Sequence, residues 1–202
     1  MKRITTVAAA LFALAATTHA FTSEGHRHFY EVLNGLNEAA AVVSTTGSGT
    51  FRAAISKDES EIEYSLSFKD LEGDVRQAHI HIGLPQNSGG IVLWLCDSAA
   101  NPSPTTNTPE CTANDPSNTH AGWVTGTLTV ADVRGNDANG IAGPTGTSTT
   151  PTTAEEFAEV VALIRAGKTY VNVHSSKFAP GEIRSQINDR GVDDDDHGHH
   201  DH

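Results

Sequence analysis

Alternation of apolar and polar residues is the main pattern in the middle of the chain. Apolar residues occupy every second position at 51–55 and again at 62–68, on either side of a charged turn. Period-two alternation is typical of strands with one buried face, so these two runs predict a β-hairpin. Many short strands separated by turns indicate a β-sandwich or barrel. Further strands are predicted at 77–82, 91–95, 123–130, 170–174 and 182–187.

One segment has helical rather than period-two spacing. Thr153 and Glu156 have the spacing of a capping box, and Gly167 provides a stop about three turns later. We therefore predict a single crossover helix, while the Pro-, Thr-, Asn- and Gly-rich stretches at 98–119 and 135–152 predict long surface loops. The apolar residues on one face of this helix are Phe157, Val160, Val161 and Ile164.

The two ends of the chain differ from the middle. Residues 1–20 contain a basic start, an apolar run and small residues before Phe21, which is the order of a cleavable secretory signal. The run is shorter than the ~20 residues that span a membrane. We expect export to the periplasm or the medium, a single domain at 21–190, and a disordered Asp- and His-rich tail at 191–202.

The cysteines and the net charge limit which classes of partner and which cellular compartment fit the sequence. Cys96 and Cys111 are the only cysteines, and in an oxidising compartment such a pair predicts a disulfide. The formal net charge of -12 argues against a nucleic-acid partner, since phosphates would be repelled. Any anionic substrate therefore needs a local positive group.

Histidines at alternate strand positions are the candidate chemistry. In the segment 78–82, a period of two places His79 and His81 on the face opposite the core. The segment 170–174 places His174 in the same way, so we expect three imidazoles outside the core and near one another. Imidazole nitrogens suit copper and zinc, and an exported site with only nitrogen ligands favours copper over zinc. A solvated set of surface histidines is the alternative.

Three further residues are candidates for the surroundings of this site. His120 precedes a predicted strand and is a candidate fourth ligand. The turn around Pro180 predicts that 182–187 pairs with the His174 strand, which places Glu182 and Arg184 on the histidine face. We expect Glu182 to accept a hydrogen bond from a ligand histidine, and Arg184 to place a positive charge beside the metal. An ordinary Glu–Arg ion pair is the alternative.

Three segments of the chain resemble the CHRD domain family. They are AHIHIG at 78–83, YVNVH at 170–174 and PGEIRSQI at 180–187. The resemblance runs from residue 29 to residue 187, and the segment 33–39 is similar to the opening strand of the family.

The resemblance implies a fold and a site. The CHRD fold is similar to the Greek-key, immunoglobulin-like β-sandwich of copper/zinc superoxide dismutases. By that likeness His79, His81 and His174 correspond to copper ligands, and Arg184 to the anion-guiding arginine. A dismutase-type zinc loop is not recognisable, so the implied activity is that of a copper-only enzyme converting superoxide to oxygen and hydrogen peroxide.

Two other functions fit the same residues. The first is a non-catalytic copper buffer or carrier, in which the tail histidines collect additional metal. The second is a metal-free adhesion or matrix module. Either a copper ion or a small anion such as superoxide is thus the expected partner, with no nucleic acid and no membrane span.

Overall fold

The structure is a computed structural model that describes residues 27–105, 107–142 and 153–188, and the backbone of 145–146. The predicted signal segment, residues 1–20, and the predicted tail, residues 191–202, lie outside the described residues.

Short strands and one α-helix make up most of this part of the chain. Three single 3₁₀ turns, at Gly35–Asn37, Val130–Asp132 and Asp137–Asn139, connect some of them. The elements in chain order are β1 (His28–Asn34), β2 (Ser48–Ile55), β3 (Ile62–Lys69), β4 (Val75–Ile82), β5 (Ile91–Cys96), β6 (Gly122–Leu128), β7 (Arg134–Gly135), β8 (Thr145–Gly146), α1 (Ala154–Arg165), β9 (Thr169–Ser175) and β10 (Ile183–Ile187).

Eight of the strands form one sheet in the order β5-β4-β9-β10-β1-β2-β3-β6, and β7 and β8 form a small parallel pair. Every neighbouring pair in the large sheet is antiparallel. The two ends of the sheet approach each other, since the hydroxyl of Tyr64 on β3 donates to the carbonyl of Leu95 on β5 at 2.6 Å. The sheet is thus nearly closed into a barrel, which confirms the mostly β sandwich or barrel fold predicted from the sequence.

The predicted hairpin is formed by β2 and β3. Phe51 lies opposite Leu66 in the register, and both side chains are buried. The intervening Arg52 is exposed and its guanidinium lies over the ring of Tyr30. The apolar half of each alternation faces the interior, as the period of two requires.

The helix α1 begins and ends close to its predicted signals. Thr153 caps it by accepting a hydrogen bond from the Glu156 backbone, at 3.4 Å, and Gly167 adopts a φ of 65° beyond its last turn. The predicted capping box is only half formed, because the Glu156 carboxylate accepts from the backbone of Ala142 instead. The predicted apolar face is buried: Phe157, Val160, Val161 and Ile164.

A disulfide between Cys96 and Cys111 joins the end of β5 to the long loop that follows it. Both cysteines are fully buried, and their Cα atoms are 4.9 Å apart, within the usual range. The disulfide prediction is confirmed. In the part of the chain that the structure describes, no helix has the length and apolar character needed to cross a membrane.

Candidate metal centre

The three candidate histidines come from two neighbouring strands. In the antiparallel register of β4 and β9, His79 lies opposite Asn172 and His174 lies opposite Gln77. His81 lies opposite Tyr170 in the same ladder. Because side chains at every second position share a face, all three imidazoles lie on the face of the sheet opposite the apolar core. The shared face expected from the sequence is present.

One ring nitrogen from each of His79, His81 and His174 lies within 4.8 Å of the other two. The shortest contact joins Nδ1 of His79 to Nε2 of His174, at 3.2 Å. Among the described residues, this is the group of three with the spacing of metal ligands. We call these three residues the histidine cluster.

The histidine face lies opposite the core, as expected, but it is shielded from water. His79 is 0% exposed, and His81 and His174 are each 7% exposed. Trp94 on β5 packs edge-on against His79, with ring centroids 4.2 Å apart. A period of two separates the two faces of a strand, but it does not tell which face meets water.

Backbone carbonyls fix the tautomers of two of the imidazoles. Nδ1 of His81 lies 2.8 Å from the carbonyl oxygen of Gly89, and Nδ1 of His174 lies 2.8 Å from that of Ala179. A carbonyl oxygen can only accept, so Nδ1 of each ring carries the proton and Nε2 carries a lone pair. This is the arrangement by which proteins orient histidine ligands toward a metal.

Two buried ring nitrogens of the cluster lack partners. Nε2 of His79 and Nε2 of His81 are buried and make no hydrogen bond. Nε2 of His174 differs, because it lies 3.2 Å from Nδ1 of His79 and 3.1 Å from the amide oxygen Oδ1 of Asn172. Buried polar atoms without partners are rare in folded proteins, and each indicates a ligand or a functional constraint.

Burial keeps the cluster neutral. Desolvation lowers the pKa of His79 well below its ordinary value, and the charges of His174 and His81 would lower it further. Desolvation also lowers the pKa of His81 to about 4, against the donation to Gly89, and lowers that of His174. All three rings are therefore uncharged at neutral pH, the form of imidazole that binds a metal.

Arg184 lies on the histidine face, as predicted, but its guanidinium is separated from the cluster. In the register of β9 and β10 it lies opposite Asn172. Its guanidinium carbon is 3.4 Å from the centre of the Tyr170 ring, and the His81 ring stacks on the same tyrosine at 4.7 Å and 5°. Two groups this close cannot share one ring face. Tyr170 is therefore sandwiched between His81 and Arg184.

Glu182 does not accept a hydrogen bond from a cluster histidine, so the predicted orienting role is wrong in this geometry. Its Oε1 accepts from the Thr45 hydroxyl at 2.6 Å and from the Glu72 backbone at 2.7 Å. The chain turns sharply at Gly181, where φ is 137°, just before β10 begins. Glu182 therefore lies outside the regular ladder from which its direction was predicted. Backbone carbonyls orient His81 and His174 instead.

His120 does not join the histidine cluster, so the fourth-ligand prediction is corrected. Its Nδ1 donates to the carbonyl of Leu71 at 2.6 Å, and its Nε2 lies 3.7 Å from a carboxylate oxygen of Asp74. The side chain is about half exposed. These local contacts hold the ring at the loop where it lies.

Several residues around the site were not predicted. Trp94 and Tyr170 border the imidazoles, and Gly89 supplies the carbonyl to His81. Glu38 is also buried, and desolvation raises its pKa to about 7 although the charge of Arg184 works in the opposite direction. The adjacent glycines at 89 and 90 were the one sequence signal for a constrained backbone here.

Fold and site together define a mostly β protein with a buried group of three histidines that could hold a metal ion. The chain belongs to the CHRD domain family, whose sequence profile matches residues 29–187. No curated protein and no solved structure matches the chain.

Proposed function

We propose that the protein binds one copper ion through His79, His81 and His174. The observation that carries this proposal is the convergence of three buried, neutral imidazoles, two of which have an unpartnered Nε2. Each buried nitrogen without a partner has lost its hydration without compensation. A metal ion bound by one nitrogen of each ring would offset part of that loss.

The donor set favours copper. The cluster offers imidazole nitrogens, and neither a thiolate nor a carboxylate belongs to it. Divalent copper binds such nitrogen ligands more tightly than zinc does. The amide oxygen of Asn172, 3.1 Å from Nε2 of His174, is an additional oxygen donor beside the cluster.

Burial favours holding the metal over turning a substrate over. The exposed fractions of 0%, 7% and 7% leave little room for a substrate to reach the ion directly. The function that the geometry supports best is therefore that of a copper buffer or carrier. We also propose that it acts outside the cytoplasm, from the signal-like order of residues 1–20 and the disulfide.

Superoxide dismutation is the second candidate, and one observation favours it. Arg184 lies on the cluster's face of the sheet, on the strand next to that of His174. Copper would supply the alternation between Cu(II) and Cu(I) that dismutation needs. If Arg184 guides the anion, Arg184→Ala should lower the superoxide rate, and the loss should shrink with salt. A loaded protein no faster than free copper contradicts this function.

The test of copper binding uses Trp94, whose ring packs on His79. Trp123→Phe removes the other tryptophan, which is 56% exposed, so that emission reports on Trp94 alone. Titration with Cu(II) should quench this emission and saturate at one ion per chain. His79→Ala should abolish the quenching.

Two controls make the titration specific. The histidines of the tail, at 197, 199, 200 and 202, are replaced by alanine so that they contribute no binding. His120→Ala, which removes a half-exposed histidine outside the cluster, should leave the titration unchanged. If the parent takes up no copper, a metal-free adhesion or matrix module becomes the better function.

A further inference from the structure

The connection between β4 and β5 lies over the edge of the histidine cluster. We call its residues 83–90 the strap. The side chains of residues 84–88 are all exposed, and Leu84, its one large apolar residue, is 48% exposed. The strap therefore contributes no apolar anchor to the core, and polar contacts must hold it in place.

Backbone hydrogen bonds hold the two ends of the strap, since the N–H of Gly83 donates to Lys168 and the carbonyl of Gly90 accepts from Ile82. Side chains of three strands on the histidine face make the other contacts. Nη2 of Arg184 donates to the carbonyls of Leu84 and Asn87, at 2.9 and 3.1 Å. Nε2 of Gln186 donates to the carbonyl of Gly83 at 2.8 Å. These two residues of β10 hold the first half of the strap.

Gly89 connects the second half of the strap to the cluster. Its N–H donates to the hydroxyl of Tyr170 at 3.1 Å, and its carbonyl accepts from Nδ1 of His81 at 2.8 Å. A Cβ at this position would lie 1.6 Å from the carbonyl oxygen of Ile82, so only glycine allows the close approach. The two peptide units that flank Gly89 thus contact two rings of the site, one Tyr170 and the other His81.

The same contacts decide where the His81 lone pair lies. While the strap is in place, the Gly89 carbonyl holds the proton on Nδ1 and leaves Nε2 free toward the cluster. The Tyr170 ring is held against His81 by the guanidinium of Arg184 on its other face. Displacement of the strap would remove the contacts of Gly89 to His81 and Tyr170 and open one side of the cluster to water.

We infer that the strap controls the entry and loss of the metal, and that Arg184 and Tyr170 are the positioning residues that keep it closed. The inference rests on the proposed metal site. Opening of the strap limits both rates, so weakening it speeds binding and release together while the affinity changes less.

Metal release is the first measurement. The full chain is loaded with Cu(II), and transfer to an excess of a chromogenic chelator is followed by stopped flow. Tyr170→Phe keeps the ring stack and removes the hydroxyl that accepts from Gly89. Loss of one such hydrogen bond predicts release and uptake each about fivefold faster, and Arg184→Gln predicts about tenfold. Equal rates in parent and variants would overturn the inference.

A matched control separates strap opening from general loosening. Arg165→Gln removes an arginine contact to Glu59 away from the cluster, and it should leave the release rate unchanged. Thermal unfolding identifies any variant that fails to fold. If Arg184→Gln does so, Tyr170→Phe alone decides the outcome.

Amide hydrogen exchange of the metal-free protein distinguishes failure of the strap from failure of the metal site. The exchange of Gly89 should be faster in Tyr170→Phe than in the parent, whether or not the cluster binds copper. Faster exchange in the variant, together with no copper uptake by the parent, would contradict the proposed metal site but support the role of Tyr170 in holding the strap. Unchanged exchange would overturn the strap even if copper binds.

Discussion

Acid should destabilise the metal-free protein through the buried imidazole of His81. Burial lowers the pKa of this ring from 6.5 to about 4. Below pH 6.5 the unfolded chain therefore takes up a proton that the folded protein refuses, so stability falls as pH falls. The contribution is complete above pH 6.5 and is lost as pH drops toward 4.

The magnitude follows from the shift. A difference of 2.5 pH units between unfolded and folded pKa corresponds to about 3 kcal/mol at pH 4. His81→Asn isolates this contribution, because the asparagine amide can still donate to the Gly89 carbonyl but does not titrate. Relative to His81→Asn, the parent should lose about 3 kcal/mol of unfolding free energy between pH 7.5 and pH 4.

Urea unfolding in the presence of a chelator, followed by circular dichroism at a series of pH values, measures this difference. His120→Asn is the matched control, since that ring is half exposed, and its profile should follow the parent's. Profiles of parent and His81→Asn that stay parallel down to pH 4 would refute the argument. They would mean that His81 is hydrated or protonated in the folded state.

Three other substitutions have expected effects on stability. Glu38→Gln should stabilise the protein by up to about 3 kcal/mol at pH 8 and not at pH 4. Burial raises the pKa of Glu38 from 4.5 to about 7, so between these values the folded protein keeps a proton that the unfolded chain releases. Equal urea midpoints of variant and parent at pH 8 would contradict this. Replacing Cys96 and Cys111 together by alanine should cost about 3 kcal/mol in unfolding free energy, since their bond closes a 15-residue separation; an unchanged urea midpoint would show that the loop is ordered without it. Thr153→Ala should cost about 1 kcal/mol by removing the α1 cap, and a thermal midpoint equal to the parent's would show that the helix does not need it.

The strands could be predicted because their cause is local. The period of two in β2 and β3 reflects one face meeting the core, and the structure pairs these strands as expected. Similarly, the predicted segment 182–187 pairs with β9 from Ile183 onward, because the turn before it brings the chain back. The opening strand was placed too late, at 33–39, whereas β1 ends at Asn34 and a 3₁₀ turn follows.

Burial of the histidine face could not be predicted, because what covers it comes from elsewhere in the chain. Trp94 reaches His79 from β5, and Gly89 reaches His81 from the strap. Neither contact can be recognised from the pattern of residues around His79 and His81. The same holds for Tyr170, whose position between His81 and Arg184 depends on three strands at once.

The direction of the Glu182 side chain could not be predicted from the alternation of β10. Its place two residues before Arg184 predicts the same face only while the strand is regular. The positive φ of Gly181 interrupts that regularity, and Thr45 binds the carboxylate instead. The direction of a side chain just before a strand thus depends on the geometry of the preceding turn.

The central claim is that His79, His81 and His174 together hold one copper ion. Electron paramagnetic resonance of the Cu(II)-loaded protein, with the tail histidines replaced by alanine, tests it most directly. We predict one bound ion per chain whose spectrum shows splitting from three imidazole nitrogens, with one nitrogen fewer in His81→Asn. A spectrum that is the same in parent and His81→Asn, or a parent that binds no copper, would contradict the claim.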